Sequence, residues 1–133
     1  MDNVEVTTLA GGMAGIDPQM VADLQSAVRG PIHTAESPTY DEVRQLWNKA
    51  IDKHPALIVR CLGTADVVAT VNFAREHSLL LAVHGGGHNV AGNASCDGGV
   101  MLDLSLMKGI HVDTEKETAR AQGGVTWGDP VSY

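Results

Sequence analysis

The sequence has little cysteine, no block of basic residues and no long apolar run, and each of these shortages excludes a class of protein. Its two cysteines, Cys61 and Cys96, are too few for a disulfide framework and lack the close spacing of a zinc knuckle, so reduced thiols are expected. A formal net charge of −7 argues against nucleic acid as a partner. Neither a signal segment nor a run of roughly 20 apolar residues is present, which predicts a cytoplasmic protein without a membrane partner.

The 133 residues suffice for one domain with a core, and the N-terminal third is predicted to be helical after a leader. Residues 1–17 follow neither the helical nor the strand period, so we expect a disordered leader. Residues 18–53 are assigned to N-terminal helices, the first of which ends at Gly30-Pro31. The second is predicted between Pro38 and Pro55, where one apolar stripe recurs at helical spacing, with Trp47 as a core residue. The stripe consists of Val43, Leu46, Trp47, Ala50 and Ile51.

Residues 54–133 change from a parallel to an antiparallel pattern. Apolar runs at 56–59 and 79–83 flank a helix that begins near Thr64, a residue able to cap it, and this order predicts a parallel βαβ unit. Residues 100–104 predict a third strand of the same sheet. Alternation at 109–113 and 118–122 predicts an antiparallel hairpin, so the expected fold class is α+β, with two subdomains meeting near Lys108.

The segment Thr126-Trp127-Gly128-Asp129 has the form of a capping box and predicts the start of another helix. Only four residues follow it, and they begin with Pro130, which disfavours continuation of the helix. We therefore expect the chain to be the truncated, N-terminal portion of a larger architecture.

The chemistry of the sequence is concentrated at 84–92, directly after a strand predicted to be buried. Three consecutive glycines, Gly85, Gly86 and Gly87, leave backbone N–H groups accessible and permit positive φ, which suits a phosphate or pyrophosphate. The segment is not a dinucleotide fingerprint, because Val90 takes the place of its last glycine and no helix follows. A Gly-Lys-Ser/Thr phosphate loop is also absent. An anionic cofactor held in another way is expected.

Several ordered motifs between Arg29 and Asp129 resemble the FAD-linked oxidases of the p-cresol methylhydroxylase and vanillyl-alcohol oxidase type. The similarity is strongest to the bacterial relatives of berberine bridge enzyme. The most specific motif is Arg-Gly-Gly-Gly-His-Asn-x-Ala-Gly, followed by Cys-Asp-Gly-Gly and an Asp-Leu-Ser strand. The matching segments are His84–Gly92, Cys96–Gly99, Asp103–Ser105, Pro55–Arg60 and Gln122–Asp129.

The resemblance implies FAD as the cofactor and a role for each matching loop residue. The histidine of Gly-Gly-His commonly bonds to the 8α carbon of the flavin, and here that residue is His88. The glycine turn of the family runs along the pyrophosphate, so the resemblance assigns cofactor binding to the whole motif. Its members here are His84, Gly85, Gly86, Gly87, His88, Asn89 and Gly92. His84 departs from the family's arginine, which weakens the positive charge near the pyrophosphate or makes it depend on pH.

The function that this implies is an FAD-dependent oxidoreductase acting on an alcohol, a sugar or a related small molecule. The family's catalytic base and substrate domain would lie downstream of Tyr133, so no catalytic residue is assigned. The alternative is a truncated, inactive FAD-binding fragment. A zinc-dependent hydrolase that uses His84 and His88 is disfavoured, because three glycines between them make a helix improbable, and no metal site is assigned. Cys96 is expected in a turn before a strand, and Cys61 in the core.

Overall fold

The computed structural model describes residues 2–129, and the chain begins with a β-hairpin. Val4–Thr7 (β1) and Met13–Ile16 (β2) pair antiparallel. Val6 and Ile16 are buried in the main core, so the expectation of a disordered leader is wrong. In the sequence, the alternation within β1 and the Gly11-Gly12 turn indicate this hairpin. Gly11 has a φ of 91°.

Pro18–Ala27 (α1) forms the first predicted helix and is capped by its preceding aspartate. The Asp17 carboxylate accepts the N–H of Gln19 at 2.7 Å, and proline occupies the first turn. Ile32–His33 (β3) then enters the central sheet. Residues 18–53 are therefore only partly helical, in contrast to the expected helical segment.

The second N-terminal helix is a single turn, Tyr40–Val43 (α2), so the long helix predicted up to Pro55 is wrong. Leu46 is buried as the apolar stripe requires, but the indole of Trp47 is 73% exposed and is not a core residue. The Trp47 N–H donates to the carbonyl of Gly87 at 3.1 Å instead of to a helical carbonyl. The helix has already ended at Val43, and the Trp47 N–H is paired by this tertiary hydrogen bond.

The predicted βαβ unit is confirmed by Leu57–Arg60 (β4), Thr64–Glu76 (α3) and Leu81–His84 (β5). The predicted third strand, Val100–Asp103 (β6), lies between β4 and β5 and pairs parallel with both. The sheet order is β3-β4-β6-β5, with β3 antiparallel at one edge. All four residues of β6 are buried, which explains its continuous apolar run up to Asp103.

The start of α3 is stabilised by a buried aspartate and not by the predicted threonine cap. Gly63 is the N-cap and makes no side-chain cap, while Thr64 is the first helical residue. The carboxylate of Asp66, 1% exposed, accepts the N–H groups of Leu62, Arg29 and Gly30 at 2.9–3.1 Å. It therefore joins the end of α1 to the loop before α3.

After β6 the predicted antiparallel hairpin is confirmed by Ile110–Asp113 (β7) and Thr118–Ala121 (β8). The α+β class with a parallel unit followed by an antiparallel hairpin is thus confirmed. At 126–129 the Asp129 carboxylate accepts the N–H of Thr126 at 2.6 Å, the contact expected of a capping box. The helix predicted to follow lies outside the described residues.

The sheet separates two apolar clusters of unequal size. Leu57, Val59, Val100 and Leu102 belong to the main core, which α1, α3 and the β1–β2 hairpin cover. On the other face, Ile58 and Met101 pack against Tyr40 of α2. Within residues 2–129 no helix combines the length and apolar character needed to cross a bilayer.

Candidate cofactor site

Three polar residues end the parallel strands in one row. Arg60 of β4, Asp103 of β6 and His84 of β5 are in register, so their side chains share the α2 face at the carboxyl edge of the sheet. The Arg60 Nε donates to Asp103 at 3.0 Å. The Ser105 N–H donates to the other carboxylate oxygen at 2.9 Å. Asp103, although 1% exposed, is therefore fully paired.

His84 fills the centre of the site beneath the glycine turn. The residue is 8% exposed, and burial lowers its pKa; the nearby Asp103 opposes that shift, while Arg60 and His88 add to it. Its Nδ1 has no hydrogen-bond partner among residues 2–129. A neutral ring is thus favoured, in contrast to the permanent charge of an arginine.

The glycine turn at 85–87 is shaped by close backbone approaches. Gly87 has a φ of +72°, and a Cβ there would come within 2.5 Å of the His84 Nε2. A Cβ on Gly85 would come within 2.7 Å of the Gly123 carbonyl oxygen. The two glycine motifs that the sequence separates by more than thirty residues therefore meet here.

The turn also leaves backbone donors free. Among the hydrogen bonds of residues 2–129, none is donated by the N–H groups of Gly86, Gly87, His88 or Asn89. Gly87 is nevertheless buried. Consecutive N–H groups without protein acceptors, near the carboxyl end of a parallel strand, are what a phosphate anion requires.

His88 is exposed and is contacted by an aromatic side chain. Its imidazole stacks on the indole of Trp47, with ring centroids 5.0 Å apart and an interplanar angle of 20°. A cavity of about 450 Å³ opens beside this pair. Its lining consists of Glu42, Gln45, Leu46, Trp47, Lys49, His84 and Gly86.

The predicted site residues lie on one loop but differ in their surroundings. His84, Gly87 and Gly92 are buried, whereas His88 and Asn89 are exposed. Gly92 has a φ of +79° and lies against Ile51, and the Asn89 side chain accepts the N–H of Asn93 at 3.1 Å. The sequence did not reveal Arg60 as a site residue or Trp47 as a neighbour of the loop. Arg60, Asp103 and His84 each lie at the end of a predicted strand, and this shared position was the available signal for Arg60.

Cys61 and Cys96 are both buried free thiols, as expected. Within residues 2–129 no group of three or more His, Cys, Asp or Glu side chains is arranged to hold a metal ion.

The buried parallel sheet, the free N–H groups and the glycine cradle together define a protein domain that binds an anionic cofactor. A family model described as FAD binding domain matches residues 55–133, more than half of the chain. The chain belongs to this FAD-binding family, and its cofactor is FAD. The residues present fit that group, since the N–H groups of Gly86, Gly87, His88 and Asn89 have no protein acceptor among residues 2–129.

Known relatives support the same fold. The chain is 39% identical over 105 residues to (R)-6-hydroxynicotine oxidase of Paenarthrobacter nicotinovorans, covering 79% of this chain and 23% of the relative. The crystal structure of 6-hydroxy-D-nicotine oxidase from Arthrobacter nicotinovorans matches with a TM-score of 0.70 and 39% identity, over 74% of this chain and 22% of that one. Xylooligosaccharide oxidase from Myceliophthora thermophila matches with a TM-score of 0.72 and 23% identity, over 82% and 23%.

These matches identify the fold as the FAD-binding domain of p-cresol methylhydroxylase type, a fold shared with a berberine bridge enzyme-like protein of Physcomitrella patens. The chain spans about a quarter of the length of the relatives it matches.

Proposed function

We propose that the protein is an FAD-dependent oxidoreductase and that the loop 84–92 holds its flavin cofactor. The observation that carries this proposal is the row of free N–H groups from Gly86 to Asn89 within a domain of the FAD-binding family. When bound, FAD supplies the acceptor for electrons removed from a substrate carbon. The chain's own residues bind and orient that cofactor.

The geometry of the loop assigns different roles to its backbone N–H groups and to its side chains. The N–H groups of Gly86, Gly87, His88 and Asn89 would donate to the pyrophosphate, which needs no side-chain charge. Gly85 and Gly87 let the turn lie close to Gly123 and to the His84 ring, and His84 lies beneath the turn as a neutral ring. A cofactor bound in this way depends on backbone shape more than on ion pairing.

His88 is the residue proposed to bond covalently to the flavin. An unprotonated imidazole is a nucleophile, and the His88 ring is exposed and stacks on Trp47, which lines the cavity. The bond would join a ring nitrogen of His88 to the 8α carbon, with loss of the ring N–H proton and of one hydrogen from that carbon. FAD would supply the acceptor for the two electrons released, and dioxygen would be the final oxidant, giving hydrogen peroxide.

The substrate is proposed to be an alcohol, a sugar or a related small molecule. Two relatives are by name oxidases, one of 6-hydroxynicotine and one of xylooligosaccharides, which supports an oxidoreductase with a small organic substrate. A cytoplasmic location and the lack of nucleic-acid and membrane partners stay predictions from composition.

The mass of the denatured protein tests the proposal. The experiment uses the protein at its natural length, purified from cells grown with riboflavin. We expect the wild-type mass to include one FAD, whereas His88→Ala should release FAD on denaturation and show only the mass of the polypeptide. The exposed His111, changed to Ala, is the matched control and should keep the bound FAD.

The possible results separate three conclusions. FAD that leaves the wild-type protein on denaturation would overturn the covalent bond but retain the loop as a binding site. Absence of FAD from both the native and the denatured wild-type protein would overturn the cofactor role of the loop. FAD bound by a protein that oxidises no alcohol, sugar or amine would support the alternative of an inactive FAD-binding fragment.

A further inference from the structure

Trp47 occupies a position that hydrophobic burial does not explain. Its neighbour Leu46 is 4% exposed and anchors the segment, yet the larger indole of Trp47 is 73% exposed. Two contacts to the loop 84–92 account for the position of Trp47. The Trp47 N–H donates to the Gly87 carbonyl at 3.1 Å, and the indole stacks on the imidazole of His88.

The same segment also holds the other end of the loop. The Lys53 Nζ donates to the carbonyl of Gly92 at 3.0 Å. Ile51 lies so close to Gly92 that a Cβ there would approach its Cγ2 to 2.9 Å. The segment 47–53 therefore contacts the loop at Gly87 and at Gly92, and His88 lies between these two points.

The orientation of His88 depends on few contacts. Within residues 2–129 its imidazole makes no hydrogen bond, and Trp47 is its aromatic neighbour. On the turn itself, Gly86 leaves room for the ring: a Cβ on Gly86 would lie 3.2 Å from Cδ2 of His88. An exposed histidine with so few contacts would otherwise sample several rotamers.

We propose that Trp47 is a positioning residue that holds the His88 imidazole in the orientation in which it bonds to FAD. This inference rests on the proposed function of His88. Restricting a nucleophile to its reactive orientation raises the rate of bond formation without changing the bond formed. Removing the indole should therefore slow the attachment of FAD and leave the final product and reversible binding unchanged.

The test measures the rate at which acid-stable flavin forms when FAD is added to the full-length apoprotein. Trp47→Leu, which keeps an apolar side chain but removes the ring, should slow attachment roughly 2- to 10-fold, the range expected from loss of one aromatic stacking contact. Trp47→Phe should restore most of the rate because it keeps an aromatic face. Trp127→Phe is the matched control, since this tryptophan is fully exposed, and it should attach FAD at the wild-type rate.

Fluorescence gives a second measurement that needs no cofactor. The emission of Trp47 is the difference between the spectra of proteins with Trp47 and with Trp47→Leu, whatever other tryptophans the full-length protein contains. Because stacking on the imidazole alters the surroundings of the indole, His88→Ala should change this difference spectrum, and the exposed His111→Ala should leave it unchanged. A difference spectrum that is identical with and without His88 would overturn the positioning contact.

The outcomes for Trp47 and for the proposed function can be told apart. Attachment by Trp47→Leu at the wild-type rate, in a wild-type protein that forms acid-stable FAD, would overturn the role of Trp47 alone. A wild-type protein that never forms acid-stable FAD would overturn the covalent bond, and this inference with it.

Discussion

Nδ1 of the buried His84 lies 3.9 Å from Oδ1 of Asp103, beyond hydrogen-bonding reach. The Asp103 carboxylate is already paired with Arg60 and with the N–H of Ser105. His84 therefore gains little from carrying a charge, and burial lowers its pKa. Where the resembling family has a permanently charged arginine, this chain places a ring that is most stable when neutral.

Acidification is expected to destabilise the fold through His84. In the unfolded chain this histidine titrates near 6.5, whereas in the folded chain it takes up its proton only at a lower pH. Between these values the unfolded chain binds more protons, so the free energy of unfolding is highest above pH 6.5 and falls as the pH decreases toward the folded pKa. Urea denaturation at about pH 7.5 and about pH 5.5 measures the difference.

His84→Asn should reduce this loss of stability between the two pH values. Burial also lowers the pKa of His33, so part of the pH dependence should remain in the variant. The exposed His111, changed to Asn, serves as the control and should keep the wild-type dependence. Identical pH dependence in the wild-type and His84→Asn proteins would show that the ring titrates normally.

Gly87→Ala should weaken both the fold and the binding of FAD. Alanine is strained at a φ of +72°, and its Cβ would meet the His84 ring at 2.5 Å. We expect a loss of about 1–3 kcal/mol in the free energy of unfolding. Because the turn must move, FAD affinity should fall more than roughly tenfold, about 1.4 kcal/mol. Denaturation and fluorescence titration with FAD measure the two effects.

Gly12→Ala is the control for this substitution. Gly12 does not have a positive φ, and a Cβ there would lie 3.6 Å from the Thr8 hydroxyl, an ordinary contact. Its stability and FAD affinity should match those of the wild-type protein. Equal behaviour of the two alanine variants would refute the role of Gly87 in shaping the turn.

Asp66→Ala should lower the free energy of unfolding by about 2–4 kcal/mol, because buried N–H groups would lose a charged acceptor. Burial alone would raise the pKa of Asp66, but the N–H groups of Leu62, Arg29 and Gly30 outweigh it and lower that pKa. The carboxylate is therefore charged and paired at neutral pH. Urea denaturation should show a large loss of stability for Asp66→Ala and almost none for the exposed Asp23→Ala. Similar losses for both variants would contradict the stabilising role of the Asp66 carboxylate.

Both thiols should resist alkylation in the folded protein. Burial raises the pKa of Cys61 to about 11 and also raises the pKa of Cys96, so little of either thiol is the reactive thiolate at neutral pH. We expect iodoacetamide to modify neither residue before unfolding and both in denaturant, as measured by mass. Rapid modification of Cys96 in the native protein would contradict its buried position.

Much of the architecture could be predicted because it depends on local patterns. The buried strands β4, β5 and β6 appear as continuous apolar runs, and the β7–β8 hairpin appears as alternation. The glycine turn directly follows β5, as predicted, because three consecutive glycines favour the end of a strand. The β1–β2 hairpin was missed because its strands are four residues long and are stabilised by contacts to the distant core.

The sequence by itself determined the parallel unit, the glycine turn and the resemblance that pointed to FAD, since each depends on residues close together in the chain. Only the tertiary structure decided that Trp47 lies outside any helix and stacks on His88, because its contacts to Gly87 and His88 join residues far apart in the chain. It likewise decided that Arg60, Asp103 and His84 form one row. Strand register joins residues from distant parts of the chain, and no local pattern contains it.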